Sequence, residues 1–438
     1  MMKPLVAIVG RPNVGKSTLF NKLVGDRISI VEDEPGVTRD RVQADCEWCG
    51  RVFTLIDTGG LELKSDDEMW THIREQVEIA VSAADAIVYV VDGRTGLTLD
   101  DEAIASYLRK AKVPVVLAVN KLDNNEQDLA YAFCGLGFGE PYAVSAAQGK
   151  GLGELLDAVA EAVPVAHPEE EDEVIRIAIV GKPNAGKSSL VNKLLGYDRV
   201  IVSPAAGTTR DAIDTELTVG ADKYVLIDTA GMRRRKKVDE GLERYSVMRS
   251  LLAVRRADVV LIVCDAAEGI TEQDVKIAGY VHEQGKPSVV VMNKWDLVSK
   301  DTYTKDKFDK RLREELKFMD YFRSVYVSAA TGKRVDTILG ECRRVLANSR
   351  RRIATGLLND VLTEAVRTGE PPSRKGSKLK IYFITEVSVS PPTFVLKVND
   401  PELMHFSYLR YLENALRRAF DFDGTPIKLI VRRNKEED

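Results

Sequence analysis

The sequence predicts an α/β chain with two mostly parallel sheets, each covered by helices on both faces, followed by a smaller domain of different architecture. Three observations carry that prediction. Short apolar runs alternate with helical patterns over residues 1–163 and again over 174–349. The first run of each half ends in a glycine loop that opens a helix. From about residue 350 the order of elements changes and no such loop recurs.

Residues 5–9 are a continuous apolar run, which reads as a buried parallel strand. Residues 42–48 and 52–56 flank Cys49-Gly50-Arg51 and read as a hairpin. Core strands are expected at 86–91, 114–119 and 142–144, with helices at 66–83, 100–110 and 152–162. The second half repeats the strands at 175–180, 213–219, 223–227, 258–264, 287–292 and 325–327. Residues 164–173 are acidic and lack apolar periodicity, so they read as a linker extended by self-repulsion. The last domain, 350–438, reads α-β-β-α-β: a helix at 353–367, a basic Gly/Ser loop after Pro371-Pro372, strands at 378–387 and 394–399, a helix at 406–419 and a strand at 427–432.

Composition narrows the class. A chain of 438 residues with 44% hydrophobic content can build several cores and is not a disordered polymer. No apolar run approaches the ~20 residues a membrane span needs, and the start has no signal-peptide organisation, so a cytoplasmic protein without a membrane partner is expected. Five cysteines form no disulfide-like framework, and the single Cys46-x-x-Cys49 pair lacks a second pair to complete a zinc site. Four histidines, His72, His167, His282 and His405, lie far apart and give little support to metal-only catalysis. The net charge of −4 hides an asymmetry: about −10 over 1–163 and about −5 in the linker, against about +7 over 174–349 and about +4 beyond. That distribution favours a polyanion, nucleic acid above all, facing the second half.

The chemistry lies in motifs that occur twice. Gly10-Arg11-Pro12-Asn13-Val14-Gly15-Lys16-Ser17 recurs as Gly181-Lys182-Pro183-Asn184-Ala185-Gly186-Lys187-Ser188. Each is a phosphate-binding loop: glycines let backbone N–H groups wrap a phosphate at the positive end of a helix, and the lysine reaches the β- and γ-phosphates. Thr18 and Ser189 continue the nucleotide contacts at each helix start. Ser17 and Ser188 offer a hydroxyl to Mg²⁺, and Asp57 and Asp228, which open Asp57-Thr58-Gly59-Gly60 and Asp228-Thr229-Ala230-Gly231, hold the metal through a water. Gly60 and Gly231 can donate a backbone N–H to the γ-phosphate, and Thr38 and Thr209 suit a loop that closes over Mg²⁺ when that phosphate is present. Lys16, Thr38, Gly60, Lys187, Thr209 and Gly231 are therefore the candidate catalytic set.

Asn120-Lys121-Leu122-Asp123 and Asn293-Lys294-Trp295-Asp296 select the base. A carboxylate accepts two hydrogen bonds from guanine N1–H and N2–H₂, whereas adenine offers no such donor pair. Ser145-Ala146 and Ser328-Ala329 complete the base loops. The fold class is thus two P-loop GTPase domains binding GTP or GDP with Mg²⁺. Leu61 and Met232 stand where many regulatory GTPases place a water-orienting glutamine. Binding without hydrolysis is one reading. The other is slow, potassium-stimulated hydrolysis, with Asn13 and Asn184 holding K⁺ near the phosphates.

Two such domains in one chain, followed by Ser390-Pro391-Pro392-Thr393-Phe394, Asn399, Pro401-Glu402 and Tyr408-Leu409-Arg410-Tyr411-Leu412-Glu413-Asn414, resemble the bacterial EngA/Der GTPases over essentially the whole length. The resemblance implies a KH-like C-terminal domain and a ribosome-assembly factor acting on the large (50S) subunit and its rRNA in a nucleotide-dependent way; a monomer is expected. It also implies an atypical KH domain, since no GxxG lies between residues 350 and 438. The basic run Arg233-Arg234-Arg235-Lys236-Lys237 is a candidate RNA contact, in a loop where the first copy has Leu61-Glu62-Leu63-Lys64-Ser65. Arg343, Arg344, Arg350, Arg351 and Arg352 either extend that surface or form local pairs. The alternative functional reading is an RNA-binding scaffold in which GTP only fixes domain geometry. A tRNA-modifying GTPase lacks support, because no separate catalytic domain with a reactive cysteine is visible.

Overall fold

The computed structural model describes residues 3–25, 43–57, 77, 80–81, 84–111, 113–123, 127–164, 174–196, 200–203, 214–220, 222–229, 243–374 and 377–434. Thr38, Gly60, Thr209, Gly231, Leu61, Met232, the run 233–237, nearly all of the linker and most of the helix expected at 66–83 lie outside them. The chain divides into two compact units, Met1–Glu171 and Asp172–Asp438.

In the first unit the described strands are β1 (Leu5–Val9), β2 (Gln43–Trp48), β3 (Arg51–Asp57), β4 (Ala86–Asp92), β5 (Val115–Asn120) and β6 (Tyr142–Ala143). They form one sheet in the order β2-β3-β1-β4-β5-β6. Only the β2–β3 hairpin is antiparallel. Every residue of β1 and β4 is buried, which is why their sequences are unbroken apolar runs rather than alternating ones. Helices α1 (Lys16–Gly25), α2 (Leu99–Leu108) and α3 (Leu152–Ala162) accompany this sheet. Val6, Ile8, Leu19, Phe53, Val88 and Leu155 belong to one buried cluster beneath it. Cys46 is buried there and Cys49 is exposed, and all five cysteines of the chain are free.

The second unit opens with β7 (Val174–Val180), α4 (Lys187–Leu195), β8 (Val200–Ser203), β9 (Thr215–Val219) and β10 (Asp222–Leu226). It continues through α5 (Glu243–Arg256), β11 (Val259–Asp265), α6 (Glu272–Glu283), β12 (Ser288–Asn293), α7 (Thr304–Glu315), β13 (Arg323–Tyr326) and α8 (Thr337–Arg350). The sheet runs β13-β12-β11-β7-β10-β9-β8. It therefore repeats the first sheet and adds the antiparallel edge strand β8, four residues too short to stand out as a period-2 pattern. A 3-10 stretch at Gln127–Leu136 likewise had no expectation attached to it.

The same unit ends in α9 (Thr355–Thr368), a minimal hairpin of β14 (Ser373–Arg374) and β15 (Ser377–Lys378), β16 (Ile381–Ser388), β17 (Thr393–Val398), α10 (Phe406–Ala419) and β18 (Lys428–Arg433). The α-β-β-α-β order is as expected; the hairpin occupies part of the stretch read as a loop. Strand β17 is central, antiparallel to β16 and parallel to β18. Phe394 and Phe422 meet edge to face in its core, ring centroids 6.0 Å apart.

This small sheet is fixed to the preceding one by backbone. Gly424 accepts a hydrogen bond from Ser288 N at the start of β12 (2.8 Å) and donates one to the Tyr321 carbonyl (2.6 Å). Thr425 Oγ1 donates to the Val345 carbonyl of α8 (3.0 Å), and the Asn348 amide donates to Asp421 and to the Asp423 carbonyl. The Arg417 guanidinium lies over the Tyr321 ring, 4.5 Å from its centroid. Arg343 pairs with Asp222 and Arg344 with Asp421, so these two arginines are engaged in local ion pairs.

Gly424 has φ +75°, and a Cβ there would lie 2.1 Å from Val345 Cγ1. Gly424→Ala is expected to cost about 2–4 kcal/mol from left-handed strain plus overpacking. Limited proteolysis should then release the segment beyond residue 350 faster than in the parent chain.

Candidate nucleotide sites

In an open α/β sheet, ligands bind beyond the carboxyl ends of the strands, where neighbouring connections leave on opposite faces. Both sheets deliver their polar residues to that edge. In the first, β1 leads into residues 10–15, β3 ends at Asp57, β4 at Asp92 and β5 at Asn120, and Ser145 follows β6. In the second, β7 leads into 181–186, Asp228 follows β10, and β11 and β12 end at Asp265 and Asn293.

The phosphate loops have the backbone that a nest of inward N–H groups requires. Asn13 and Asn184 sit in the left-handed region (φ 63° and 61°), as do Gly15 and Gly186 (φ 94° and 91°). A Cβ on Gly15 would lie 2.4 Å from Asn120 Nδ2, and one on Gly186 2.2 Å from Asn293 Nδ2, so only glycine fits. The reason is a clamp. Asn120 Nδ2 donates to the Val14 carbonyl (2.8 Å) while its Oδ1 accepts from Ala146 N (3.0 Å). Asn293 does the same to the Ala185 carbonyl and Ala329 N, both at 3.0 Å. Each asparagine is buried and joins the phosphate loop to the base loop.

Lys121 and Lys294 brace this joint. Lys121 Nζ donates to Asp92 (2.7 Å) and to the Asn13 carbonyl (2.6 Å), and Lys294 Nζ to Asp265 (2.5 Å). Burial works against ionisation of Asp92, yet the Lys121 ammonium and the N–H groups of Thr95 and Arg94 outweigh it and hold the carboxyl below its ordinary value. Asp265 is held low in the same way by Lys294 and Ala267 N. Asp123 accepts from Ser145 Oγ (2.8 Å) and pairs with Arg94, while Asp296 is exposed.

A second support lies behind each phosphate loop. Asp101 and Asp274, both fully buried, close capping boxes with Thr98 and Thr271 at the starts of α2 and α6. Asp101 also lies 3.3 Å from Arg11 Nε, and Lys182 Nζ lies 2.5 Å from Glu268 and 3.9 Å from Asp274. The carbonyls of the same two residues, Arg11 and Lys182, accept from the loop lysines Lys16 (2.8 Å) and Lys187 (2.6 Å). A buried carboxylate thus lies near the side chain of the residue whose carbonyl accepts from the loop lysine, closely in the first copy and at longer range in the second. Sequence reasoning missed Asp92, Arg94, Asp101 and their counterparts. The signal was present: Asp-x-x-x-Gly-(Leu/Ile)-Thr-x-x-Asp begins at Asp92 and again at Asp265.

The copies differ at Asp57 and Asp228. Asp57 completes β3 in extended backbone, whereas Asp228 is left-handed (φ 57°), its N–H held by Asp214 Oδ1 at 2.9 Å. Asp214 is in turn paired with Arg256. Seryl hydroxyls at the first helical turns and carboxylates at the same sheet edges are hard oxygen donors, suited to Mg²⁺. Asp57 is near enough to Lys16 for its charge to raise the lysine's affinity for protons. Among the described residues no cluster of His, Cys, Asp and Glu could hold another metal, and no helix is long and apolar enough to cross a membrane.

Fold and site together define a P-loop protein with two guanine-nucleotide-type domains and a KH-like domain. A family profile described as 50S ribosome-binding GTPase matches residues 5–121 and 176–294, and one described as the C-terminal KH-domain-like region of EngA bacterial GTPase enzymes matches 352–432. GTPase Der of Moorella thermoacetica is 55% identical over 437 residues, covering 100% of both chains. GTPase Der of Clostridium tetani is 55% identical over 438 residues, again with 100% of both covered. GTPase Der of Geobacillus thermodenitrificans is 54% identical over 437 residues, with 99% of this chain and 100% of that one. The chain belongs to the Der GTPase family.

Burial pushes the Lys16 ammonium down from 10.5 to about 8, with Asp57 opposing and Arg11 adding to the effect. Phosphate favours the charged form, so binding at the first site should take up a proton once free Lys16 has begun to lose its own. In the full chain carrying Lys187→Ala, calorimetry in buffers of different ionisation enthalpy should show uptake growing from pH 7.5 to 9. Lys16→Arg, which stays charged, should show none.

Proposed function

We propose that this chain is a GTP-hydrolysing switch that binds the large ribosomal subunit or its precursor in a nucleotide-dependent way during ribosome biogenesis. The observation that carries the reading is the complete pair of clamped phosphate and base loops in a chain whose G domains match a profile described as 50S ribosome-binding GTPase. Lys16 and Lys187 engage the β- and γ-phosphates, with Thr18 and Ser189 beside them. Ser17 with Asp57, and Ser188 with Asp228, would hold Mg²⁺, with Thr38 and Thr209 closing over it. A Mg²⁺ held by these residues would supply positive charge to offset that of the phosphates. Asp123 and Asp296 read the guanine edge, and Gly60 and Gly231 meet the γ-phosphate.

Leu61 and Met232 cannot orient a water by hydrogen bonding, so hydrolysis is slow and depends on another source of positive charge. The side chains of Asn13 and Asn184 are exposed and make no hydrogen bond among the described residues, which leaves both amide oxygens available to K⁺ beside the phosphates. Steady-state phosphate release should be faster in K⁺ than in Na⁺ at equal ionic strength. Equal rates would remove the cation from the mechanism, and no repeated turnover at all would favour the scaffold reading.

The basic run Arg233, Arg234, Arg235, Lys236 and Lys237, which follows Met232 in the sequence, is the proposed rRNA contact. Neutralising all five should weaken binding to large-subunit particles and flatten the dependence of log K on log salt by up to about four units. Depletion of the protein should distort ribosome profiles, and neither Lys16→Ala nor Lys187→Ala should restore them as the parent chain does. Normal profiles after depletion would contradict an assembly role.

A further inference from the structure

The turn after β4 differs from its counterpart after β11 by one informative side chain. Arg94 N donates to Asp92 Oδ1 (3.0 Å), as Ala267 N donates to Asp265 Oδ1 (2.9 Å). Both aspartates also receive the lysine of the base motif, Lys121 or Lys294. The two turns are thus built alike, but the first projects a guanidinium and the second a methyl group. The Arg94 guanidinium pairs with Asp123 Oδ2, and Asp123 Oδ1 already accepts from Ser145 Oγ. Asp296 makes no hydrogen bond or ion pair among the described residues, and Ser328 Oγ accepts from Thr331 N (3.1 Å).

A guanidinium presents a planar fork of N–H donors. Guanine presents N1–H and N2–H₂ with a similar spacing, and both forks seek the two oxygens of one carboxylate. We infer that Arg94 is an internal competitor for the base-reading carboxylate of the first site, which the base must displace, whereas Asp296 faces no such competitor among the described residues. The inference rests on Asp123 and Asp296 being the base-reading residues. The Arg94 side chain is 59% exposed and that of Asp123 29%, so water and salt weaken the pair and the effect is modest. It is a difference in guanine-nucleotide affinity between two sites whose clamps are alike.

The test is titration of fluorescent GDP into the full chain, with the second site disabled by Lys187→Ala. Arg94→Ala should tighten binding at the first site by about two- to five-fold. With the first site disabled by Lys16→Ala, Ala267→Arg should weaken the second by a similar factor. The advantage of Arg94→Ala should shrink in about 1 M salt, where an exposed pair is screened. Unchanged or weaker binding by Arg94→Ala would overturn the inference, weaker binding because it would make Arg94 a support for the base. Asp123→Asn separates this failure from a wrong assignment. If it abolishes the preference for GDP over ADP while Arg94→Ala has no effect, only the competitor falls. If it leaves the preference intact, the base-reading assignment falls with it.

Discussion

Each site depends on one buried amide. Asn120 and Asn293 use both ends of the side chain, donating to a phosphate-loop carbonyl and accepting from a base-loop N–H. A buried amide left half-satisfied loses about 1–3 kcal/mol per group, so both loops hold their places only while both bonds are made. The glycines of the phosphate loops follow from this, because the amide occupies the space a side chain would need. The lysine beside each asparagine then fixes the end of the next strand through Asp92 or Asp265. The two loops of each site are thereby held in place together.

Much of this was legible in the sequence because the chemistry sits where the strand pattern ends. Unbroken apolar runs gave β1, β4, β7, β11 and β12 within a residue or two. The residues at or just after the ends of β1, β7 and β12 were the ones the motifs named, whereas Asp92 and Asp265 at the ends of β4 and β11 were not. The buried supports were not legible by type. Asp101 and Asp274 look like solvated carboxylates at a helix start, and only tertiary packing shows them fully buried behind the phosphate loops. Comparing the copies beyond the nucleotide motifs would have exposed them, since the spacing from Asp92 to Asp101 is repeated from Asp265 to Asp274. The edge strand β8 and the hairpin at 373–378 were missed for a different reason: elements of two to four residues carry no period.

The duplication is closest in the shared frame and loosest at its margins. The clamps agree to within 0.2 Å in the bond from amide to phosphate-loop carbonyl. At the edges the copies diverge: Asp228 adopts a backbone that Asp57 does not, Lys182 takes an added exposed partner in Glu268, and Arg94 has an alanine counterpart. The constraint of holding a nucleotide lies on the buried joint, and the side chains around it are at liberty to make two sites unequal.

Strand β12 has a further consequence. Its first residue, Ser288, is bonded to Gly424 of the C-terminal segment, and its last, Asn293, is the clamp of the second site. Five extended steps, about 17 Å, separate them. Pairing with β11 on one side and β13 on the other restrains that strand along its length. The C-terminal segment and the clamp of the second site therefore share one strand as their common support.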